Sequence, residues 1–355
     1  MNSGNQIGFR ELSPPQPRSE DWKYTSLKAF EQQSYEISNW SDAQTKRSIS
    51  LSDGLDLLSH PGMEGGRLFP QSPLQSPFFK FFSRELQSQE IWFLHQQTPG
   101  VLSQIEVNAR VEKSGRLLIL IEPGEDSLAQ INIRMKVAEA QELDLTVCFN
   151  SPSVALCRVH ISVELAAKSG FKSTSLLMGG RVNRLEPEVF FTVPGWRAEL
   201  SGLSLASGHQ VQDQQVHIHH QVGNCTSDQI FKSLLADQAR SVTCGSVRIY
   251  EDAVGAESHQ LNKNLLLGSQ AEAISLPRLE IEADDVVATH GSSTGSLESE
   301  ELFYLQSRGL AVEEARQMLL AGFSDEIVSR IPQEFVVNVR PLYRRALQRM
   351  RGPLP

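Results

Sequence analysis

From about residue 101 to about 290 the chain reads as short runs of alternating apolar and polar residues: SQIEVNARV, INIRMKV, RVHISVEL, VFFTV, QVHIHHQV, SVRIY and RLEIEA. Period-2 alternation places apolar side chains on one face of an extended strand and polar ones on the other. Ile105, Ile133, Ile161, Phe190, Ile218, Ile249 and Ile281 stand near the centres of these runs, spaced 28, 28, 29, 28, 31 and 32 residues apart. A second strand-like run falls about halfway between several of them, near Ile119, Val147, Leu176 and Leu203. Two short strands per repeat, a nearly fixed period and no helical interval predict a solenoid. The expected fold class is mainly β: a flattened, right-handed parallel β-helix core flanked by N-terminal and C-terminal helical segments. A β-sandwich is the runner-up, but it needs antiparallel strands and no fixed period.

Three regions follow from the pattern. Residues 1–100 read as an N-terminal mixed/helical region, 101–296 as the β-helix core and 297–355 as a C-terminal helical segment. In the first, EDWKYTSLKAF (20–30) has the apolar positions of an amphipathic helix or its lead-in. The aromatic-rich stretch 76–97 is expected to pack on a neighbouring domain. In the last, SLESEELFYLQSRG stops at Gly309. AVEEARQMLLAG sets Val312, Ala315, Met318 and Leu319 on one face and is expected to stop at Gly322. Ser324 is then expected to cap a further helix that Pro332 interrupts.

The formal net charge of −9 argues against a general binder of nucleic acid or anionic membranes. No apolar run approaches the roughly 18 residues of a membrane-spanning helix. The first residues lack an apolar signal core, so no secretory signal is expected. The four cysteines, Cys148, Cys157, Cys225 and Cys244, form no CxxC pair and read as reduced thiols in a cytoplasmic protein. There is no GxSxG elbow, no phosphate-binding GxxxxGK[ST] loop and no GxGxxG.

Histidines carry the candidate chemistry. In GHQVQDQQVHIHHQVGN, His217 and His219 share one strand face and His220 takes the other. An HxH pair can hold a metal, but the glutamate expected four residues on is Gly223, so packed or solvated histidines are favoured. His290 follows LEIEADDVVAT and precedes Gly291 and Gly295, a setting that predicts a strand end opening into a turn. There it is exposed enough to bind a metal or move a proton, although composition alone favours a turn histidine with no chemistry.

Residues 213–323 resemble the SufB/SufD family of iron–sulfur cluster assembly proteins. The matching elements keep the family's order: Asp213, His220, Ser227, Lys232, Gly245, Gln260 and Asn264, then P-x-L-E-I-x-A-D-D-V, HG-x-x-x-G and LFYL-x-SRG. WKYT (22–25) matches as well and favours the shorter SufD branch. Three departures stand out. The chain is short in its N-terminal third, Thr289 replaces a serine frequent in relatives, and the reactive cysteine of SufB has no counterpart.

The resemblance implies a non-enzymatic, SufD-like scaffold subunit of a SufB–SufC–SufD complex, with cluster assembly at its interface with SufB. It implies pairing with a SufB-like paralogue through the β-helix, and docking of a SufC-like ATPase by the C-terminal helices. Phe303, Leu319 and Phe323 are the candidate anchors for that ATPase. His290, the histidine of the HG motif, becomes the expected interface residue and metal ligand. No cofactor is expected on the chain alone, only a transient Fe–S cluster, iron and sulfide, in the complex. Flavin binding by the complex and a homodimer in isolation stay open, and neither nucleic acid nor membrane is an expected partner. The alternatives are a β-helix carbohydrate-active enzyme, or a stand-alone metal protein using His217 and His219.

Overall fold

The computed structural model describes residues 6–8, 25, 34–37, 79–86, 88–95, 101–152 and 154–350. Two sheets face each other. One holds β5 (Val101–Val111), β7 (Leu128–Val137), β9 (Leu156–Leu165), β11 (Val182–Phe191), β13 (Val211–His220), β15 (Arg240–Ile249) and β17 (Glu272–Ile281). The other holds β4 (Gln89–His95), β6 (Gly115–Glu122), β8 (Glu142–Phe149), β10 (Gly170–Met178), β12 (Arg197–Ala206), β14 (Thr226–Leu235), β16 (Glu257–Leu266) and β18 (Val287–Ser296). The chain alternates between them, so each coil adds one parallel strand to each sheet. The result is a parallel β-solenoid of about 7 turns. Parallel pairing begins before residue 101: β3 (Phe79–Glu85) pairs with β5, and β4 with β6. The described part of the aromatic-rich stretch, β3 and β4, thus supplies an earlier coil of the stack. β1 (Gln6–Gly8) and β2 (Ser34–Ile37) pair antiparallel, and β2 lies parallel to β5. The helix expected over 20–30 lies outside the described residues, except Thr25.

The alternating runs form the strands because each coil stacks in register on the next. Ala109, Met135, Val163, Val189, Ile218, Val247 and Leu279 form one inward column. The first six are buried, while Leu279, in the last coil, is half-buried. Ile133 and Ile161 are paired neighbours, and so are Ile249 and Ile281. Phe190 breaks the expected column: it points outward, and its neighbours Val189 and Phe191 fill the interior. Three apolar residues in a row leave the face ambiguous, and packing of the column resolves it.

Three helices and a turn follow. They are α1 (Ser299–Ser307), α2 (Val312–Val328), a 3-10 turn at Gln333–Phe335 and α3 (Val336–Arg349). Gly309 ends α1 in the left-handed region, φ +95°. Gly322 does not end α2, and Ser324 is no cap. The helix runs through both, with the Ser324 hydroxyl donating to the Leu320 carbonyl at 2.5 Å and bonded to Tyr343 Oη at 2.9 Å. A mid-helix glycine costs about 1 kcal/mol, and burial of Leu320, Ile327 and their half-buried neighbours outweighs it. These side chains, with Phe335, Val339, Tyr343 and Leu347, cover the outward Leu118, Leu120, Leu176, Met178, Leu203, Leu205 and Leu234 of the β4–β18 sheet. Strands buried on both faces read as near-continuous apolar runs such as LLILI.

Ile133→Ala should destabilise the chain by about 2–5 kcal/mol, the usual cost of such a cavity. Lys136→Ala, three residues on, removes only an exposed ion pair with Glu164 and should cost no more than about 1 kcal/mol. Urea unfolding of the two variants checks the inward and outward assignment of β7.

Candidate functional site

The solenoid ends on an uncovered coil. Among the described residues, β17 and β18 are the last strands of their sheets and pair on one side only. Each therefore presents a free edge of backbone donors and acceptors. Residues in inward positions here are open to solvent because no further coil follows: Pro277, Ile281, His290, Ser292 and Thr294 are all exposed.

His290 sits within this surface. It lies mid-strand in β18, not at a strand end. The strand continues through Gly291 and Gly295 to Ser296, and neither glycine adopts a positive φ. The expected turn is therefore absent, because the ladder to β16 extends the whole segment. His290 pairs with Gln260 and occupies the last place of the inward column Leu117, Leu145, Ser173, Leu200, Gln229, Gln260, His290. On the opposite face Thr289 Oγ1 bonds His259 Nδ1 at 2.8 Å, and on the inward face Asn264 Nδ2 of β16 donates to Thr294 Oγ1 of β18 at 3.2 Å.

The column also shows a change of interior chemistry. It starts with leucine and ends with glutamine and histidine. The column facing it runs Ile105, Ile131, Val159, Leu185, then Gln214, Thr243 and Ser275. Ser175 donates to Gln214 Oε1 at 3.0 Å, and Gln214 Nε2 donates to Ser204 at 3.0 Å. Asn262 and Asn264 donate to Ser275 at 2.6 and 3.2 Å. The sequence reading did not find this polar interior. Its signal was Gln229, Gln260, Asn262 and Asn264 at even spacing on their strands.

The other singled-out residues are engaged in structure. Asp213 is fully buried and accepts from Thr25 Oγ1 at 2.6 Å, Gln215 Nε2 at 2.6 Å and Arg184 NH1 at 2.8 Å. Lys232 ties β14 to α2 by donating to the Phe323 carbonyl at 2.8 Å and pairing with Glu326 at 2.7 Å. His219 stacks on Phe190 at 4.6 Å and meets Glu188 Oε1 at 3.2 Å. Burial pulls the Glu188 carboxyl upward, but bonds to His160 and His219 hold it well below the usual range. Among the described residues, no three histidine, cysteine or acidic side chains converge on a point that could hold a metal. All four cysteines are buried and none forms a disulfide, and burial pushes the Cys148, Cys157 and Cys225 thiols up, away from the reactive thiolate.

His220 is part of the stack, beside Phe191 and Ile249. Ser227 Oγ donates to Ser258, so it accepts from His220 Nε2–H at 2.9 Å. Burial, with a smaller push from His219, brings its pKa down to about 4.

Of the three candidate anchors in the C-terminal segment, Phe303 projects into solvent, 70% exposed. Leu319 and Phe323 are half-buried against the chain's own sheet, and Lys232 lies over the Phe323 ring at 4.8 Å. The structure adds Tyr304 and Met318 as exposed apolar side chains; Met318, expected on one face with Ala315, is 52% exposed while Ala315 is buried.

The family model described as "SUF system FeS cluster assembly, SufBD core domain" matches residues 93–323, well over half of the chain. This chain belongs to the SufB/SufD family. It is 33% identical over 243 residues to an iron–sulfur cluster assembly SufBD family protein of Mycobacterium leprae, covering 65% of this chain and 61% of that protein. It is 31% identical over 175 residues to the iron–sulfur cluster assembly protein SufD of Escherichia coli, covering 49% and 41%. The SufD of Plasmodium berghei is 33% identical over 180 residues, 50% of this chain and 13% of that one. The matches thus span less than two thirds of these relatives. Within the family this chain is most like SufD. Among the described residues, no helix is long and apolar enough to cross a membrane.

The low folded pKa of His220 makes a signed prediction. Below the unfolded value near 6.5 the unfolded chain binds a proton that the folded chain refuses, so stability falls as pH drops from about 6.5 to about 4. The full difference is on the order of 3 kcal/mol. His220→Phe, which keeps the stack, should flatten the fall in Tm across this window, measured by thermal melts at several pH values.

Proposed function

We propose that this chain is a SufD-like, non-enzymatic scaffold subunit for iron–sulfur cluster assembly, acting in the cytoplasm. The observation that carries the reading is the uncovered last coil in a chain of this family. Long unpaired strand edges beside exposed inward side chains are a template for another chain, and a solenoid needs its terminal coil capped. A SufB-like paralogue is the proposed cap, its strands continuing both sheets. His290 stands on the surface that such a partner would cover. Imidazole is a good ligand for iron, and the buried thiols of this chain are poor candidates. A transient cluster would therefore take His290 from this chain and its other ligands from the partner. The chain alone is proposed to hold no cofactor.

A SufC-like ATPase is proposed to dock on the C-terminal helices. Phe303 leads, with Tyr304 and Met318 beside it in the exposed apolar set, while Leu319 and Phe323 contribute only their uncovered parts. Removing the whole helical segment would be a poor test, because it would strip the cover from Leu118, Leu176, Leu203 and Leu234.

Co-expression with the two partners tests the reading. His290→Ala should leave the heteromer intact by light scattering and sharply lower its iron and sulfide content. Normal iron and sulfide, or loss of pairing with the paralogue, refutes the ligand role. Phe303→Ala should weaken ATPase retention about tenfold, the equivalent of roughly 1.4 kcal/mol, and leave the paralogue bound. Full-strength ATPase binding would remove α1 from that interface.

A further inference from the structure

Between the last coils lies a small cavity of about 20 Å³. Its polar lining comes from Gln229, Thr243, Gln260, Asn262, Ser275 and Ser292, with Gly245 in the wall, and it opens at the last coil, where Ser292 and Pro277 are exposed. The first four side chains belong to residues at least nine-tenths buried, with exposures of 4, 4, 8 and 9%. Five of their atoms have no hydrogen-bond partner in the protein: both ends of the Gln229 amide, Thr243 Oγ1, Gln260 Nε2 and Asn262 Oδ1. Buried amides and hydroxyls left unpaired are costly, and native proteins satisfy them with protein groups or with ordered water. The orphan set contains donors and acceptors together, and no charged residue lines the space. That chemistry suits a neutral molecule that both donates and accepts, and gives nothing to balance the charge of an ion. The volume suits one water-sized guest, which needs about 10–15 Å³ and two to four polar partners.

We propose that this pocket is an ordered-water site, open on the side of the last coil, that completes the polar interior of the last coils. Gly245 keeps it open. A Cβ at that position would stand 2.9 Å from Gln260 Oε1 and 3.1 Å from Gln229 Oε1, inside the space the guest occupies. The site also accounts for two glutamines stacked in register where every earlier coil of the column carries leucine or serine. Without a bridging molecule these amides would be a liability that a leucine pair would remove. The proposal involves neither iron nor a partner chain, so it stands or falls apart from the scaffold reading.

The test is the crystal structure of the full chain, at a resolution that shows ordered water, for the natural sequence and for Gly245→Ala. A density peak is expected within hydrogen-bond reach of Gln229 and of at least one of Thr243, Gln260 and Asn262, and it should be gone from the variant. No peak in the natural chain, direct pairing of Gln229 with Gln260, or a peak that persists beside the new methyl overturns the proposal. Should Gly245→Ala fail to fold, oxygen-17 relaxation dispersion on the natural chain and Gln229→Met decides. A long-lived water signal that falls in the variant supports the site, and an unchanged signal overturns it.

Discussion

Parallel pairing in register, one coil upon the next, is the constraint on which this molecule rests. Each inward side chain meets the side chain at the same place in the coils before and after it. A slip of one residue would turn a whole strand's apolar set outward, so the column from Ala109 to Leu279 fixes the register at every step. The same rule determines what the ends must be. A middle coil satisfies its backbone on both sides, and the last coil satisfies only one. β17 and β18 are therefore unsatisfied by construction, and any partner that continues the stack completes them.

The interior does not stay uniform along that stack. Early coils close on Leu117, Ile119, Ile131 and Ile133, and later ones on Ser175, Gln214, Ser204, Asn262 and Asn264. Apolar columns hold strands together without direction, whereas amide and hydroxyl networks need particular geometry. Positions in the late coils are thus specified by hydrogen bonds. The outer faces divide the work differently. The β4–β18 sheet buries its outer leucines under α2 and α3, while Phe190, His219, Arg248 and Glu280 line one row across the outside of the other sheet.

Much of this was legible in the sequence. Strong alternation and a nearly fixed period sufficed for the solenoid, and the ordered motif from Asp213 onward sufficed for the family. What escaped the reading did so for physical reasons. Alternation is a hydrophobic signal, so a strand such as TSDQIFKSLL, with Ser227 and Gln229 inward and Ile230 outward, reads with its faces exchanged. THGSSTGS has the composition of a loop, yet tertiary pairing with β16 holds it extended, as local strand propensity yields to context. Gly322 looked like a helix stop because its neighbours' burial against a sheet distant in sequence could not be seen. Phe190 was misplaced because a run of three apolar residues has no readable face.

The histidines show how position in the coil decides chemistry. His220 is enclosed by neighbouring coils, donates to Ser227 and resists protonation until about pH 4. His219 lies two strands from the open edge, on the outer face, and its ring and nitrogen are occupied by Phe190 and Glu188. His290 shares His220's inward orientation but belongs to the coil that has no successor. Enclosure by a further coil would make it another core residue, bonded and inert. Its availability therefore comes from the incompleteness of the stack, and a partner completing that stack would bring its own side chains to the same seam. In such an arrangement the fold creates the site only when two chains meet, which is the condition a shared cluster requires.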